Sequence, residues 1–276
     1  MLIGWNGETM PALPLEREVE VIAQAGYRGL EVFIPKLGPY LQSHSPADLA
    51  RLLAERHIEP LTMNGIENIN LRPASEFQRV KDECRRVAEV AAQINCPAIV
   101  VVPSPKPEGM PWPEIRERTA AALAELAATA APYGVRLAFE FLAPAACSVR
   151  TLEQGLEVVQ AAGQPNLGLV FDTYHFHVGG SSLASLDALD VSSVLIVHIN
   201  DVEGLPLPEL TDGHRLLPGE GVLPLTRMLS PLVEHGYDGG CALEVMRPAY
   251  RERDPLEYAK AGFEAIRKTL ALIGAA

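Results

Sequence analysis

The sequence predicts an α/β fold, a single-domain (β/α)8 barrel over residues 1–276. Three observations predict it. Strand-like and helix-like segments alternate eight times with no linker between them, the order that builds a parallel sheet. The length of 276 residues suits one closed barrel. The turn after the first strand, Asn6-Gly7-Glu8-Thr9, lacks the glycine-rich phosphate turn of an open doubly wound sheet.

The elements follow in order. Residues 2–5 form a short apolar strand, and 15–25 have helical periodicity that stops at Gly26. A second strand spans 29–34, followed by a Pro- and Gly-rich loop over 35–40. Ser45-Pro46 opens a helix to about residue 56, with Ser as N-cap and Pro in the first turn. A third strand covers 59–63, a polar loop 64–73 and a long helix 75–94. The fourth strand, 98–102, is a continuous apolar run, as expected of a parallel strand buried on both faces. A Pro-rich loop over 103–113 leads into an Ala-rich helix over 114–131, then a fifth strand over 135–142. The second half repeats the pattern, with helix 151–162, strand 167–171, helix 182–189, strand 194–199, helix 223–234, strand 240–245 and helix 255–273.

Composition narrows the function. A net charge of -12 disfavours nucleic acid, whose phosphates are neutralised by Lys and Arg. Cys84, Cys96, Cys147 and Cys241 form no C-x-x-C pair, so they read as inert thiols of a reducing compartment. The N-terminal residues show no basic region followed by an apolar stretch, so no signal peptide is expected, and no apolar run reaches roughly 18 residues. The expectation is a cytoplasmic protein with no membrane partner and with a small-molecule substrate; a homo-oligomer is compatible with it.

The chemistry centres on Phe139-Glu140-Phe141. A carboxylate between two Phe in a buried strand is costly unless its charge is matched. Three later strands also carry polar groups at or near their C-terminal ends: Asp172, His198 and Glu244. Active sites of (β/α)8 barrels lie at that end, and neighbouring strands are about 4.8 Å apart. A single such residue reads as a core ion pair, but four on consecutive strands read as ligands of one divalent ion. Two Glu, one Asp and one His suit Mn, Co, Mg or Zn.

The loops add candidates. His175, three residues past Asp172, reads as a hydrogen-bond partner of a substrate oxygen rather than a group that orients Asp172. Arg215, just before Pro218-Gly219, reads as a fork for a hydroxyl or carboxylate. For Asn64, a substrate contact and a turn cap both fit. His177 reads as structural and His214 as a loop residue, while Lys36 and Arg247 read as solvated surface groups.

In combination these motifs are specific. Glu140 in F-E-F, Asp172-x-x-His175, His198-x-Asn-Asp, Arg215-x-x-Pro-Gly-Glu-Gly and Leu243-Glu244 resemble the xylose isomerase-like TIM-barrel superfamily of sugar isomerases and epimerases. The resemblance spans the whole chain. It is greatest to the inosose isomerase branch of bacterial inositol catabolism, through Leu61-Thr-Met-Asn64, the run from Tyr133 to Glu140, the run from Gly168 to His177, Leu210-Thr-Asp212 and Arg247-Pro-x-Tyr250. It implies one divalent metal on Glu140, Asp172, His198 and Glu244, with His175 and Arg215 on the substrate. Two branches fit less well. Ketose 3-epimerases usually carry a further carboxylate where this chain has Ala146. Apurinic-site endonucleases place His where this chain has Asn64 and Pro103-Ser104, and His214 sits one place off their remaining ligand.

The activity implied is isomerisation of an inosose or related polyhydroxy ketone through a cis-enediolate. Glu140 and Glu244 are the candidate acid and base, and His175 the shuttle of the hydroxyl proton. Epimerisation or dehydration at the same site, and a non-catalytic sugar-binding barrel, are the alternatives.

Overall fold

A computed structural model describes residues 1–187 and 189–275. Ala188, inside the helix expected over 182–189, and Ala276 lie outside the described residues. Eight parallel strands close into a barrel. They are β1 (Leu2–Asn6), β2 (Gly29–Phe33), β3 (Glu59–Ile66), β4 (Ala98–Val101), β5 (Arg136–Phe139), β6 (Leu167–Asp172), β7 (Val194–Ile199) and β8 (Gly240–Leu243). The ring closes where β1 pairs with β8, Leu2 opposite Gly240 and Trp5 opposite Leu243.

Strand pleating sorts the side chains, since successive residues point to opposite faces. Ala138, Val170, Ile196 and Ala242 fill the barrel interior with Val100 and Leu61. Each neighbour one step on, Phe139, Phe171, Val197 and Leu243, packs in the larger core between barrel and helices. The next step points inward again, and there stand Glu140, Asp172, His198 and Glu244. Phe139 and Phe141 are fully buried in the outer core, where each contributes about 1.5–3 kcal/mol. They pin the strand so that Glu140 faces the interior. Lower in the barrel, Leu61 fills space left by glycines. A Cβ on Gly29 would lie 2.6 Å from Leu61 Cδ1, so a larger residue there would displace the plug beneath the site.

Three departures from the sequence expectations shape the surroundings of the strand tips. Residues 35–40 are not a loop: Ile34–Tyr40 is a helix with Pro in its first turn. Pro tolerates that position, and burial of Leu37 and Tyr40 outweighs the weak helix propensity of Gly38 and Pro39. Lys36 on this helix is not solvated. It is 6% exposed and its Nζ lies 2.6 Å from Glu18 Oε1, a fully buried carboxylate that also accepts from Trp5 Nε1. The third departure follows β6. Asp172 caps a helix, Thr173–Gly179, through the His175 N–H at 2.7 Å, whereas 183–186 form only a 3-10 turn, Leu183–Leu186. Asp is a preferred N-cap, so the strand tip leads directly into helix. Elsewhere Ser45 caps Pro46–Glu55, as expected, and Asp48 completes a capping box with it. Among the described residues no helix is long and apolar enough to cross a membrane, and all four cysteines are free and buried.

Candidate metal centre

The strand tips bring the four expected residues together. One donor atom from each of Glu140, Asp172, His198 and Glu244 lies within 4.8 Å of the others, and all four residues are buried. Strand pairing sets this geometry. Asp172 is level with His198 across β6 and β7, and Ala242 with His198 across β7 and β8. Glu140 and Glu244 stand just past the ends of their strands. Their N–H groups still donate to Val101 O at 3.0 Å and Ile199 O at 3.2 Å, so both tips keep barrel geometry.

His198 Nδ1 faces into the ring, 3.0 Å from Glu140 Oε1, 3.3 Å from Glu244 Oε2 and 3.9 Å from Asp172 Oδ2. Arg215 closes the ring from above. It sits on a two-stranded ribbon, Arg215–Leu216 against Asp201–Val202. The Asp201 carboxylate braces the ribbon by accepting from the N–H groups of Val202, Gly219 and Leu223. Arg215 is fully buried. Its Nη1 donates to Asp172 Oδ2 at 2.8 Å and Glu244 Oε2 at 2.9 Å, and Asp212 takes Nε at 2.9 Å and Nη2 at 2.8 Å. The guanidinium lies 4.5 Å from the centre of the Tyr174 ring.

These neighbours push the two glutamates apart. Burial raises Glu140 to about 8, against the pull of His198. Burial acts on Glu244 in the same direction, but His198 and Arg215 outweigh it and hold this carboxyl well below its ordinary value. Burial lowers His198, yet Glu244, Glu31 and Glu140 together hold it well above its usual range. His175 is lowered, by burial first and also by Arg215, against Asp172.

Glu140 and Glu244 of the ring border a cavity of about 640 Å³ whose lining also includes Glu8, Asn64, His175, Asp212 and Arg215. Asn64 is buried within β3 rather than at a turn. Its Nδ2 lies 3.4 Å from Glu244 Oε1. His175 Nδ1 accepts from Ala143 N–H at 3.1 Å, and Nε2 lies 3.2 Å from Arg215 Nη2. His214 caps its own loop by accepting from Thr211 N, and Arg247 pairs with Glu203 at 2.6 Å with a quarter of its side chain exposed.

Residues 19–269 match the family of the xylose isomerase-like TIM barrel. The chain belongs to that family. An inosose isomerase of Halalkalibacterium halodurans is 36% identical, with 86% of this chain and 84% of that protein covered. An inosose isomerase of Bacillus velezensis is 35% identical, with 91% of each covered. A crystal structure of IOLI protein with a binding zinc atom superposes with a TM-score of 0.95 at 31% identity, covering 99% of both chains.

Three residues escaped the sequence reading. Asn6, on β1, donates to Glu244 Oε1 at 2.9 Å. Glu8 borders the cavity, and burial and then Glu244 raise its pKa to about 7. Glu31, on β2, is fully buried beside His198. For Glu31 a signal was available: Leu30-Glu31-Val32 places a carboxylate in an apolar strand as Phe139-Glu140-Phe141 does. Asn6 and Glu8 carry no such signal, because polar residues are ordinary after a strand.

Proposed function

We propose that this chain is a divalent-metal-dependent isomerase of a keto-inositol (inosose) or a closely related polyhydroxy ketone. One observation carries the reading: four donor atoms from Glu140, Asp172, His198 and Glu244 converge within 4.8 Å beside a pocket that Glu140 and Glu244 line. The likeness to proteins named inosose isomerase and to a zinc-holding structure supports it.

The donor set fits a cation. Two unit charges about 4 Å apart interact by about 4 kcal/mol at an effective dielectric of about 20. Three carboxylates this close therefore repel unless cations intervene. Three oxygen donors and one imidazole suit Mn, Co, Mg or Zn. When bound, such an ion supplies Lewis-acid polarisation of a ketone and its neighbouring hydroxyl.

The side chains then divide the remaining work. Both oxygens of Glu244 are engaged, by Asn6 and by Arg215. Among the described residues Glu140 is hydrogen-bonded only through Oε1, to His198. Its second oxygen is free for proton transfer, so Glu140 is the group that takes the carbon-bound proton beside the carbonyl. It returns that proton to the former carbonyl carbon, while the hydroxyl proton moves to the former carbonyl oxygen.

His175 is held as a donor. The Ala143 N–H occupies Nδ1, so the proton of a neutral ring resides on Nε2. Nε2 and Arg215 Nη2 are then two donors 3.2 Å apart, an arrangement that a substrate oxygen completes. Asn64 offers a further amide at the same mouth. Glu67, Glu83, Asp212, Glu140 and Glu244 outnumber Arg86 and Arg215 in the lining, which favours a neutral polyol over a phosphate or carboxylate.

The test is to deplete the protein of metal, resupply Mn, Co, Mg or Zn, and follow keto-inositols and ketoses by proton NMR in deuterium oxide. An isomerase relocates the carbonyl and labels the adjacent carbon with every hydroxyl retained. Inversion at one carbon would indicate an epimerase, and loss of a hydroxyl a dehydratase. Binding with no exchange for any ketone would overturn the catalytic reading.

A further inference from the structure

One buried carboxylate has no place in the chemistry above. Glu31 is fully buried inside the barrel, and among the described residues its one ion-pair partner is His198, whose Nε2 lies 3.0 Å away. The contact crosses the barrel interior from β2 to β7, which are separated around the wall by β1 and β8. Two other donors fix the carboxylate. The Thr62 hydroxyl donates to Oε2, and Asn6 Nδ2 lies 3.4 Å from Oε1. The same Asn6 amide donates to Glu244 Oε1 at 2.9 Å, so it ties Glu31 to a member of the ring.

The two nitrogens of His198 therefore face different partners. Nδ1 points at Glu140, Glu244 and Asp172. Nε2 points at a carboxylate, which as an anion can only accept. Nδ1 also faces a carboxylate, Glu140, so without a cation either nitrogen can donate; a cation in the ring of oxygens would take the Nδ1 lone pair, and Glu31 would then hold the hydrogen of the neutral ring on Nε2. A ligating histidine usually donates its other N–H to such a group, which fixes its orientation and raises its basicity.

We propose that Glu31 is the positioning residue of the metal centre: it holds His198 with Nδ1 aimed among Glu140, Asp172 and Glu244 and raises the affinity of that ring for a divalent cation. The inference rests on the four-donor reading above. Glu31 is not among the residues lining the cavity, so its removal acts through His198 and, by way of Asn6, through Glu244.

The experiment compares wild type, Glu31→Gln and Glu31→Ala, each first checked for folding by circular dichroism and thermal melting in chelator. Co(II) affinity is then measured by competition with a chromophoric chelator, and the d–d absorption spectrum of the bound ion is recorded. Wild type binds one Co(II). Glu31→Ala binds it about 10–100-fold more weakly with an altered spectrum, because the imidazole is free to turn. Glu31→Gln keeps an acceptor oxygen but not the charge, so it shows a smaller loss and a spectrum near that of wild type. A folded Glu31→Ala with wild-type affinity and spectrum overturns the role of Glu31 alone. If Glu31→Ala fails to fold, wild-type affinity in Glu31→Gln does the same. Failure of wild type itself to bind Co(II) overturns the four-donor reading, and the role of Glu31 with it.

Discussion

Replacing Glu140 by Gln isolates proton transfer from nearly everything else at the site. The substitution keeps the volume between Phe139 and Phe141, both fully buried, and it keeps an oxygen able to face His198 Nδ1, now 3.0 Å from Oε1. What is lost is a group that can take a proton and one negative charge of the ring. Proton transfer by a positioned side chain contributes about 10²–10⁴ in rate, or about 3–5 kcal/mol at roughly 1.4 kcal/mol per decade. The lost charge weakens metal binding, so turnover must be measured with metal titrated to saturation. The assay is exchange of the carbon-bound proton of a keto-inositol in deuterium oxide, alongside conversion. Glu140→Gln should fold normally and lose both signals by two to four decades. Glu244→Gln should also lose turnover by orders of magnitude, but through metal affinity, because Glu244 accepts from Arg215 and Asn6. Near-wild-type exchange in Glu140→Gln at saturating metal would refute the assignment. Recovery of exchange by excess metal in that variant but not in Glu244→Gln would move the role to Glu244.

Three further outcomes are expected. Lys36→Met leaves the Glu18 charge buried without its cation, so urea unfolding should show a loss of about 3–5 kcal/mol, largely recovered by adding Glu18→Gln. A loss below about 1 kcal/mol, the range of an exposed pair, would mean the ion pair is dispensable. Burial pushes the thiols of Cys84, Cys96 and Cys241 up to about 12 and raises that of Cys147. They stay protonated at pH 8, so a disulfide reagent should label none rapidly in the native protein and all four in denaturant, and fast native labelling would contradict this. Metal at about 100 times its dissociation constant should stabilise the fold by about 2.7 kcal/mol, so excess chelator should lower the melting temperature, and an unchanged melt would argue against a native-state site.

The sequence by itself determined the barrel and which four strand-end polar side chains would meet. Alternating segments, strand-end polar residues and pleat parity are local properties, and they place Glu140, Asp172, His198 and Glu244 at one end of consecutive strands before any packing is known. That His175 and Arg215 border the same cavity was legible for the same reason, as residues close in sequence to a strand tip or a rigid turn. Closure of the barrel decided the rest. Glu31 and His198 are separated by 167 positions, and only a closed ring sets them against each other across its interior. Asn6 meets Glu244 over 238 positions because β1 pairs with β8. Lys36 looked solvated because its neighbours Pro35 and Gly38 suggested a loop. Packing of Ile34–Tyr40 buried it against Glu18 instead. Local pattern fixes which way a side chain points, whereas the partner that makes a buried charge tolerable comes from whatever strand or helix the closed fold brings to face it.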